Sequence, residues 1–493
     1  MTQRRTFYAV TISIVVLNLV LKGLFINSGS IGGDEPFSIY IAQMDIASIV
    51  RILSEGNNPP FYEIFLHFWI EVFGISPGSV RFPSVIFSAI TALYIYKIGF
   101  SFFNQRIAII SALLFTFSNY QIFFSHEARV YALVGMLTAI SMFYFLSLVA
   151  RDKPKPSHFV ILLLTNVILI YSHYFGLFVP IVQFLFIVFS AKLRSKYWRH
   201  LMLASSVLLV SYLPNLKVVI SRTIDSSTKG TWVDPPDGLY SLYNMFWNFA
   251  NEPVVTVLSL MLICAAFVKF FVRPKVVATD HLHQRIASKM VILWFAFPFT
   301  LMYLVSFWIP MFHDRYVMVA SVAFYLVLGI AADSFLQKGW LSWMIPSTVA
   351  LLFIVTCQPN MGFKRNMADV VQKIKELKTD QTIVYFCPEW YDLNIAYYYN
   401  IEHFQDFSAD DIKSKMYRHF ADEMIFPINH QSSIDSGLIS KADRVLFFDA
   451  GAVGAYPDNG IYQRLNEREF QLHKKDEFGK FFVLFEFRGL IEY

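Results

Sequence analysis

Charge is scarce in this sequence. Only 16% of its 493 residues are Asp, Glu, Lys or Arg, while 56% are hydrophobic; a water-soluble chain of this length carries about a quarter charged residues. Cysteine is nearly absent as well. Cys264, Cys357 and Cys387 have no metal-ligand spacing and cannot build a disulfide framework, which leaves at most one bridge, Cys357 to Cys387, if both lie on an oxidising side. No GxxxxGK[ST] or GxGxxG occurs, so the phosphate-cradling loops of the common nucleotide folds are excluded. The DxD pair with which many nucleotide-sugar enzymes hold a metal is missing too. Internal repeats and low-complexity segments are lacking. The net charge of +5 is no sign of nucleic acid, because the basic residues sort into particular loops.

Apolar sequence is what the chain has in abundance. The run from about 7 to 26, apolar apart from Asn18 and Lys22, has the ~20 residues that span a bilayer core. Arg4 and Arg5 precede it, but it is too long for a signal-peptide core and no A-x-A-like site follows, so it reads as an uncleaved first helix. Further apolar segments follow at about 82–103, 107–124, 128–150, 157–172, 174–191, 200–220, 253–272, 289–309, 315–336 and 340–357, eleven spans in all. Alternate connections collect the basic residues, among them Arg106, Arg151, Lys153, Lys155, Lys192, Arg194, Lys196, Arg199, Arg273, Lys275 and Lys338. By the positive-inside rule these connections are cytoplasmic. The chain is therefore expected to be a multi-pass protein of the inner (plasma) membrane, with its N-terminus in the cytoplasm and its C-terminus outside.

Two stretches depart from this pattern. In the 27–81 loop, apolar residues at 61, 64, 65, 68, 69, 72 and 73 mark an amphipathic helix over 61–73. Ile41, Met44, Ile49, Ile52 and Leu53 mark a second, with a turn at Asn57, Asn58, Pro59 and Pro60. From 360 onward the composition is that of a soluble domain. A helix through Met367, Val370, Val371, Ile374 and Leu377 leads to strands expected at 382–387, 444–449 and 480–487. The expected division is a membrane domain, 1–358, including the 27–81 loop, and a small extracytoplasmic α/β domain, 359–493.

Ionisable residues at the helix ends sort by face. Asp34 and Glu35 in GGDEPFSIY follow the first helix, and Arg81 opens the second. Glu127 and Arg129 lie in SHEARVY, His173 and Tyr174 in YSHYFG, and His313, Asp314, Arg315 and Tyr316 in FHDRY. All fall on the outer face. Each has a plain explanation: the acidic pair ahead of Pro36 caps a helix, Arg129 and Arg315 anchor at the interface, His173 is satisfied in a tight turn, and Glu127 pairs with Arg129. The cytoplasmic ends, by contrast, hold Lys and Arg without such carboxylates and histidines, and charges near a bilayer tend to face a cavity and carry function. Chemically, a carboxylate supplies a general base and arginines hold a phosphate by bidentate bonds.

The order of these motifs, DE after the first helix, a PP-containing loop, RFPS, SHEARVY, HYFG and a late RY, resembles the protein O-mannosyltransferase superfamily of GT-C fold. It looks closest to the bacterial branch that includes the lipid A aminoarabinose transferases. The similarity covers about the first 330 residues, with Asn58 standing where the family pattern has a His. The resemblance implies an all-α GT-C membrane bundle with amphipathic periplasmic helices, followed by the small α/β domain. It implies transfer of a hexosyl or pentosyl group from a polyprenyl-phosphate donor to a lipid, glycan or protein acceptor outside the cytoplasm, with inversion. Asp34 would take the acceptor's proton and Glu35 would orient it or the sugar. Arg129 and Arg315 would hold the carrier phosphate and Arg81 would fix the acidic loop. Glu127, His173, Tyr174 and Tyr316 would complete the substrate site. No cofactor is required by the resemblance, and a divalent metal is left open. A transporter or flippase of lipid-linked sugars is the alternative, but no inverted repeat is present and the charges sit at one face rather than at the midplane. A noncatalytic scaffold that binds a partner through its C-terminal domain is the third reading.

Overall fold

The computed structural model describes residues 2–55, 58–151, 154–272, 282–336, 339–360, 366–407, 411–467 and 470–489. Asn57 of the expected turn and Lys153, Arg273, Lys275 and Lys338 of the basic connections lie outside the described residues. The chain forms two compact units. One comprises Met1–Ile26, Ile46–Phe65 and Arg81–Met361, the other Asn27–Asp45, Leu66–Val80 and Gly362–Tyr493. The 27–81 loop, assigned from sequence to the membrane part, is therefore divided, and two of its pieces pack with the C-terminal residues.

Every apolar segment read from the sequence is helical in the first unit. Six described helices are long and apolar enough to cross a membrane, seven if one bent pair is a single span, and four apolar helices are shorter. Two details differ from the expectation. The segment over 107–124 is not continuous: helices Gln105–Thr116 and Asn119–Ser125 meet at 59°. A break inside a bilayer leaves backbone groups that only protein can satisfy. Asn251, held at φ 70°, does so with one side chain: its Oδ1 accepts the Asn119 N–H at 2.7 Å and its Nδ2 donates to the Phe117 carbonyl at 3.0 Å. The second difference is helix Ala191–Lys229, whose 39 residues extend about 58 Å at 1.5 Å per residue. It runs well beyond the expected 200–220.

Helix Met318–Asp333 is the hub of this unit, packing on helices Leu282–Val305, Gln105–Thr116, Pro253–Val272 and Tyr131–Val149. Small residues let the backbones close. At Gly329 a Cβ would stand 2.2 Å from Ser111 Oγ, so nothing larger than glycine fits without a shift. At the end of the same helix, Asp333 receives Arg106 Nε at 2.6 Å and Asn104 Nδ2 at 2.8 Å.

The second unit is built on a five-stranded sheet of β1 (Thr382–Cys387), β2 (Ile425–Pro427), β3 (Arg444–Asp449), β4 (Phe470–Phe478) and β5 (Phe482–Gly489), in the order β2-β1-β3-β5-β4. The first three are parallel, and β5 turns antiparallel onto β3. Every residue of β1 is buried, as a central parallel strand covered on both faces requires. β4 is a mostly exposed edge studded with Lys474 and Lys475, which discourages pairing with another chain. Cys264, Cys357 and Cys387 are free thiols, so the one bridge the sequence allowed is not formed. Cys387 is enclosed in the sheet core beside Ile383, Tyr385 and Phe447.

Candidate active site

In the second unit the acidic pair sits at a sharp turn. Gly33 adopts φ 59°, a left-handed conformation open to glycine, and the chain then enters helix Glu35–Ala42 with Pro36 in its first turn. Glu35 is buried and turns back on its own loop, its Oε2 accepting the Gly32 N–H at 3.2 Å. Asp34, the residue before the helix, is exposed and makes no side-chain capping hydrogen bond. Helix capping thus does not account for Asp34.

The loop is clamped by residues the sequence did not single out. The Tyr398 hydroxyl accepts the Ile31 N–H at 2.6 Å, Asn394 Nδ2 donates to the Gly33 carbonyl at 3.2 Å, and Ser30 Oγ accepts the Ala368 N–H at 3.1 Å. Beyond the helix, the Tyr40 hydroxyl donates to the Asp406 carbonyl at 2.8 Å, and its ring meets those of Phe404 and Phe407 edge-on. No periodicity marks Asn394 or Tyr398, because their role depends on a partner more than 350 residues away.

In the first unit, Arg129, His173, Arg315 and Tyr316 come together with Tyr131 and Trp232. Arg129 and His173 are buried. The Arg315 guanidinium carbon lies 4.9 Å from the Trp232 ring centroid and 5.8 Å from that of Tyr131, and Nη1 donates to the Tyr131 hydroxyl at 3.4 Å. The His173 ring stands 6.0 Å from Tyr131 and 5.8 Å from Tyr316. Trp232 also packs on His313, 4.9 Å between centroids; Tyr240, in helix Gly238–Ala250, is exposed.

The electrostatics of the cluster favour an anion. Burial, and then the adjacent Arg129 and Arg315 guanidiniums, push the His173 pKa down from 6.5 to about 3, so its imidazole is neutral. Its Nδ1 accepts the Phe175 N–H at 3.2 Å, which puts the ring proton on Nε2. That Nε2–H is buried and has no hydrogen-bond partner among the described residues. Burial works against ionisation of Asp314, but hydrogen bonding and charge from His313, with Arg315, outweigh it and hold its carboxyl below the usual range.

The remaining expected site residues have positioning contacts. Arg81 is buried and its Nη1 donates to the Ile26 carbonyl at 3.1 Å, where the acidic loop begins. Glu127 is buried, and its backbone carbonyl accepts from Ser84 Oγ at 2.6 Å. The next residue back, His126, which the sequence reading passed over, reaches the Lys22 carbonyl at 2.7 Å. Tyr174 has Arg222 and Tyr212 as its electrostatic neighbours. Among the described residues, no group of three or more His, Cys, Asp or Glu side chains converges to hold a metal.

The family described as dolichyl-phosphate-mannose-protein mannosyltransferase matches residues 57–216. No curated protein sequence matches the chain. Among solved structures, ArnT from Cupriavidus metallidurans bound to undecaprenyl phosphate is similar over 98% of this chain and 98% of its own, with a TM-score of 0.58 at 12% identity. The archaeal oligosaccharyltransferase AglB from Archaeoglobus fulgidus, in complex with an inhibitory peptide and a dolichol-phosphate, is similar over 95% of this chain and 73% of its own, with a TM-score of 0.51 at 10% identity. These identities carry the fold alone, and the family match covers residues 57–216, about a third of the chain. Taken together, they show that the chain shares the fold of these two structures and is similar, over residues 57–216, to the dolichyl-phosphate-mannose-protein mannosyltransferase family.

Proposed function

We propose that this protein transfers a sugar from a polyprenyl-phosphate donor to a hydroxyl-bearing acceptor on the extracytoplasmic side of the membrane, with inversion at the anomeric carbon. One observation carries the donor assignment: two guanidiniums, Arg129 and Arg315, flank a buried neutral His173 whose Nε2–H has no partner among the described residues. A phosphate supplies the acceptor oxygens this set requires, and guanidiniums bind phosphate in a planar, bidentate way. The ligands bound in the two similar structures, undecaprenyl phosphate and dolichol-phosphate, support the same donor class.

In this reading the acceptor oxygen attacks the anomeric carbon and forms the new glycosidic bond. The bond from that carbon to the phosphate oxygen breaks, and its electron pair leaves with polyprenyl phosphate. The proton passes to Asp34, with Glu35 fixing the loop that presents it. Arg129 and Arg315 stabilise the charge that grows on the departing phosphate, and preorganised stabilisation of this kind usually contributes most to the rate. The His173 Nε2–H donates to a phosphate or sugar oxygen. Trp232 and Tyr131 hold the Arg315 guanidinium in place. The acceptor class is a glycolipid, a polysaccharide or a protein.

The test is transfer by the purified protein in lipid nanodiscs, offered polyprenyl-phosphate sugars or nucleotide sugars. Release of polyprenyl phosphate with a glycosylated acceptor is the expected result. Transfer from a nucleotide sugar without the lipid carrier would overturn the donor assignment.

A further inference from the structure

At the end of the bundle that carries the Lys- and Arg-rich connections, helices Tyr131–Val149, Pro156–Ser172, Phe178–Val188 and Ala191–Lys229 enclose a cavity of 370 Å³. That volume is within the range of pockets that hold drug-sized ligands. Arg129 and Arg315 do not line it, so it is separate from the phosphate cluster above.

Its chemistry changes with depth. The walls are apolar, with Phe145, Leu162 and Leu208 among them, and the exposed Phe184 marks an opening along the side of the bundle. Two amides line it, Asn166 and Gln183, but they satisfy each other. Asn166 Nδ2 donates to Gln183 Oε1 at 2.9 Å, Gln183 Nε2 donates to Ser141 Oγ at 2.7 Å, and Ser141 Oγ donates to Asn166 Oδ1 at 2.6 Å. A closed ring of this kind asks nothing of an occupant, so the inner part of the cavity suits hydrocarbon. The mouth is different. Lys155, Lys196 and His200 line it and are exposed, and the sequence from Lys153 through Ile224 contains no Asp or Glu to offset them.

We propose that this cavity binds an anionic membrane phospholipid, with an acyl chain between the helices and the phosphate at Lys155 and Lys196. An apolar slot open to the side and closed by cations at its end, with no acidic side chain among its lining residues, complements an amphiphile of that charge. A neutral lipid would leave the two ammonium groups without a counter-charge. Two lysines at headgroup level favour an anionic over a zwitterionic headgroup by roughly ten- to thirtyfold.

Native mass spectrometry of the full chain, delipidated in detergent and offered equimolar phosphatidylglycerol and phosphatidylcholine, tests this. Preferential retention of phosphatidylglycerol is expected. The preference should vanish in the Lys155→Gln/Lys196→Gln double variant, and Ala204→Trp, which fills the cavity, should lower retention of both lipids. Unchanged helical circular dichroism and thermal midpoint establish that each variant is folded. Equal retention of the two lipids, or a preference that survives the double variant, would overturn the assignment. Displacement of phosphatidylglycerol from wild type but not from Ala204→Trp by stoichiometric undecaprenyl phosphate would also overturn it, by making this a donor site.

Discussion

The Arg315 guanidinium stacks on Trp232, its carbon 4.9 Å from the indole centroid. A guanidinium held by a ring face keeps its N–H edge available for an anion. Replacing Arg315 by Ala is expected to weaken use of a polyprenyl-phosphate donor by ~2–5 kcal/mol. Arg315→Lys keeps the charge and should recover only part of that loss, because the fork and the stack are gone. Donor KM and kcat for both variants check this, and an unchanged donor dependence in Arg315→Ala would remove the residue from the site.

His173 makes stability depend on pH with a defined sign. Its pKa is about 3 in the folded protein against 6.5 unperturbed, so between those values the unfolded chain binds a proton that the folded chain excludes. The contribution is fully present above pH 6.5 and is lost as pH falls through the window toward 3. Thermal midpoints measured from pH 7.5 to 5 should therefore fall more steeply for wild type than for His173→Gln. Parallel slopes would show that His173 is not held neutral.

Tyr398 and Asn394 restrain the acidic loop through Ile31 and Gly33. Tyr398→Phe together with Asn394→Ala should cost ~1–3 kcal/mol in local stability. Hydrogen exchange over 28–36 should rise, turnover should fall, and donor binding should remain. Unaltered exchange in that segment would mean that these contacts do not fix the loop.

How far the sequence foretells this molecule depends on whether the signal is local. Long apolar runs, the 61–73 amphipathic pattern and the strand TIVYFC are set by neighbours along the chain, and each was readable. The break at Phe117 was not, because Ser118 and Asn119 are weak punctuation in an apolar run, and the group that makes it tolerable, Asn251, lies 134 residues away. β4, FQLHKKDEF, has an edge strand's polarity and no alternating apolar pattern to reveal it. Helix Ala191–Lys229 outruns its hydrophobic stretch, so hydropathy sees only its middle. In the cluster, Arg129, His173 and Arg315 were marked by charge beside a membrane. The contacts of Tyr131 and Trp232 with Arg315 were invisible in one dimension.

Asn251 offers a test of the fold itself. Asn251→Ala strands the Asn119 N–H and the Phe117 carbonyl in a buried region and should destabilise the protein by about 1–3 kcal/mol for each group left unpaired. Denaturation in mild detergent, followed by loss of helical signal, measures it. A change within error of wild type would mean that the kink satisfies its backbone elsewhere.

Asp34 bears on the central claim most directly. It is exposed and makes no capping hydrogen bond to helix Glu35–Ala42, and Asp34→Asn preserves its size while removing its capacity to accept a proton. As the base, it should lose turnover by ~10²–10⁴ on this change, with folding and donor binding intact. The decisive measurement is sugar transfer and donor binding by the same preparation of purified Asp34→Asn protein. Loss of transfer with donor binding retained is the result this account predicts; near-normal transfer would contradict it.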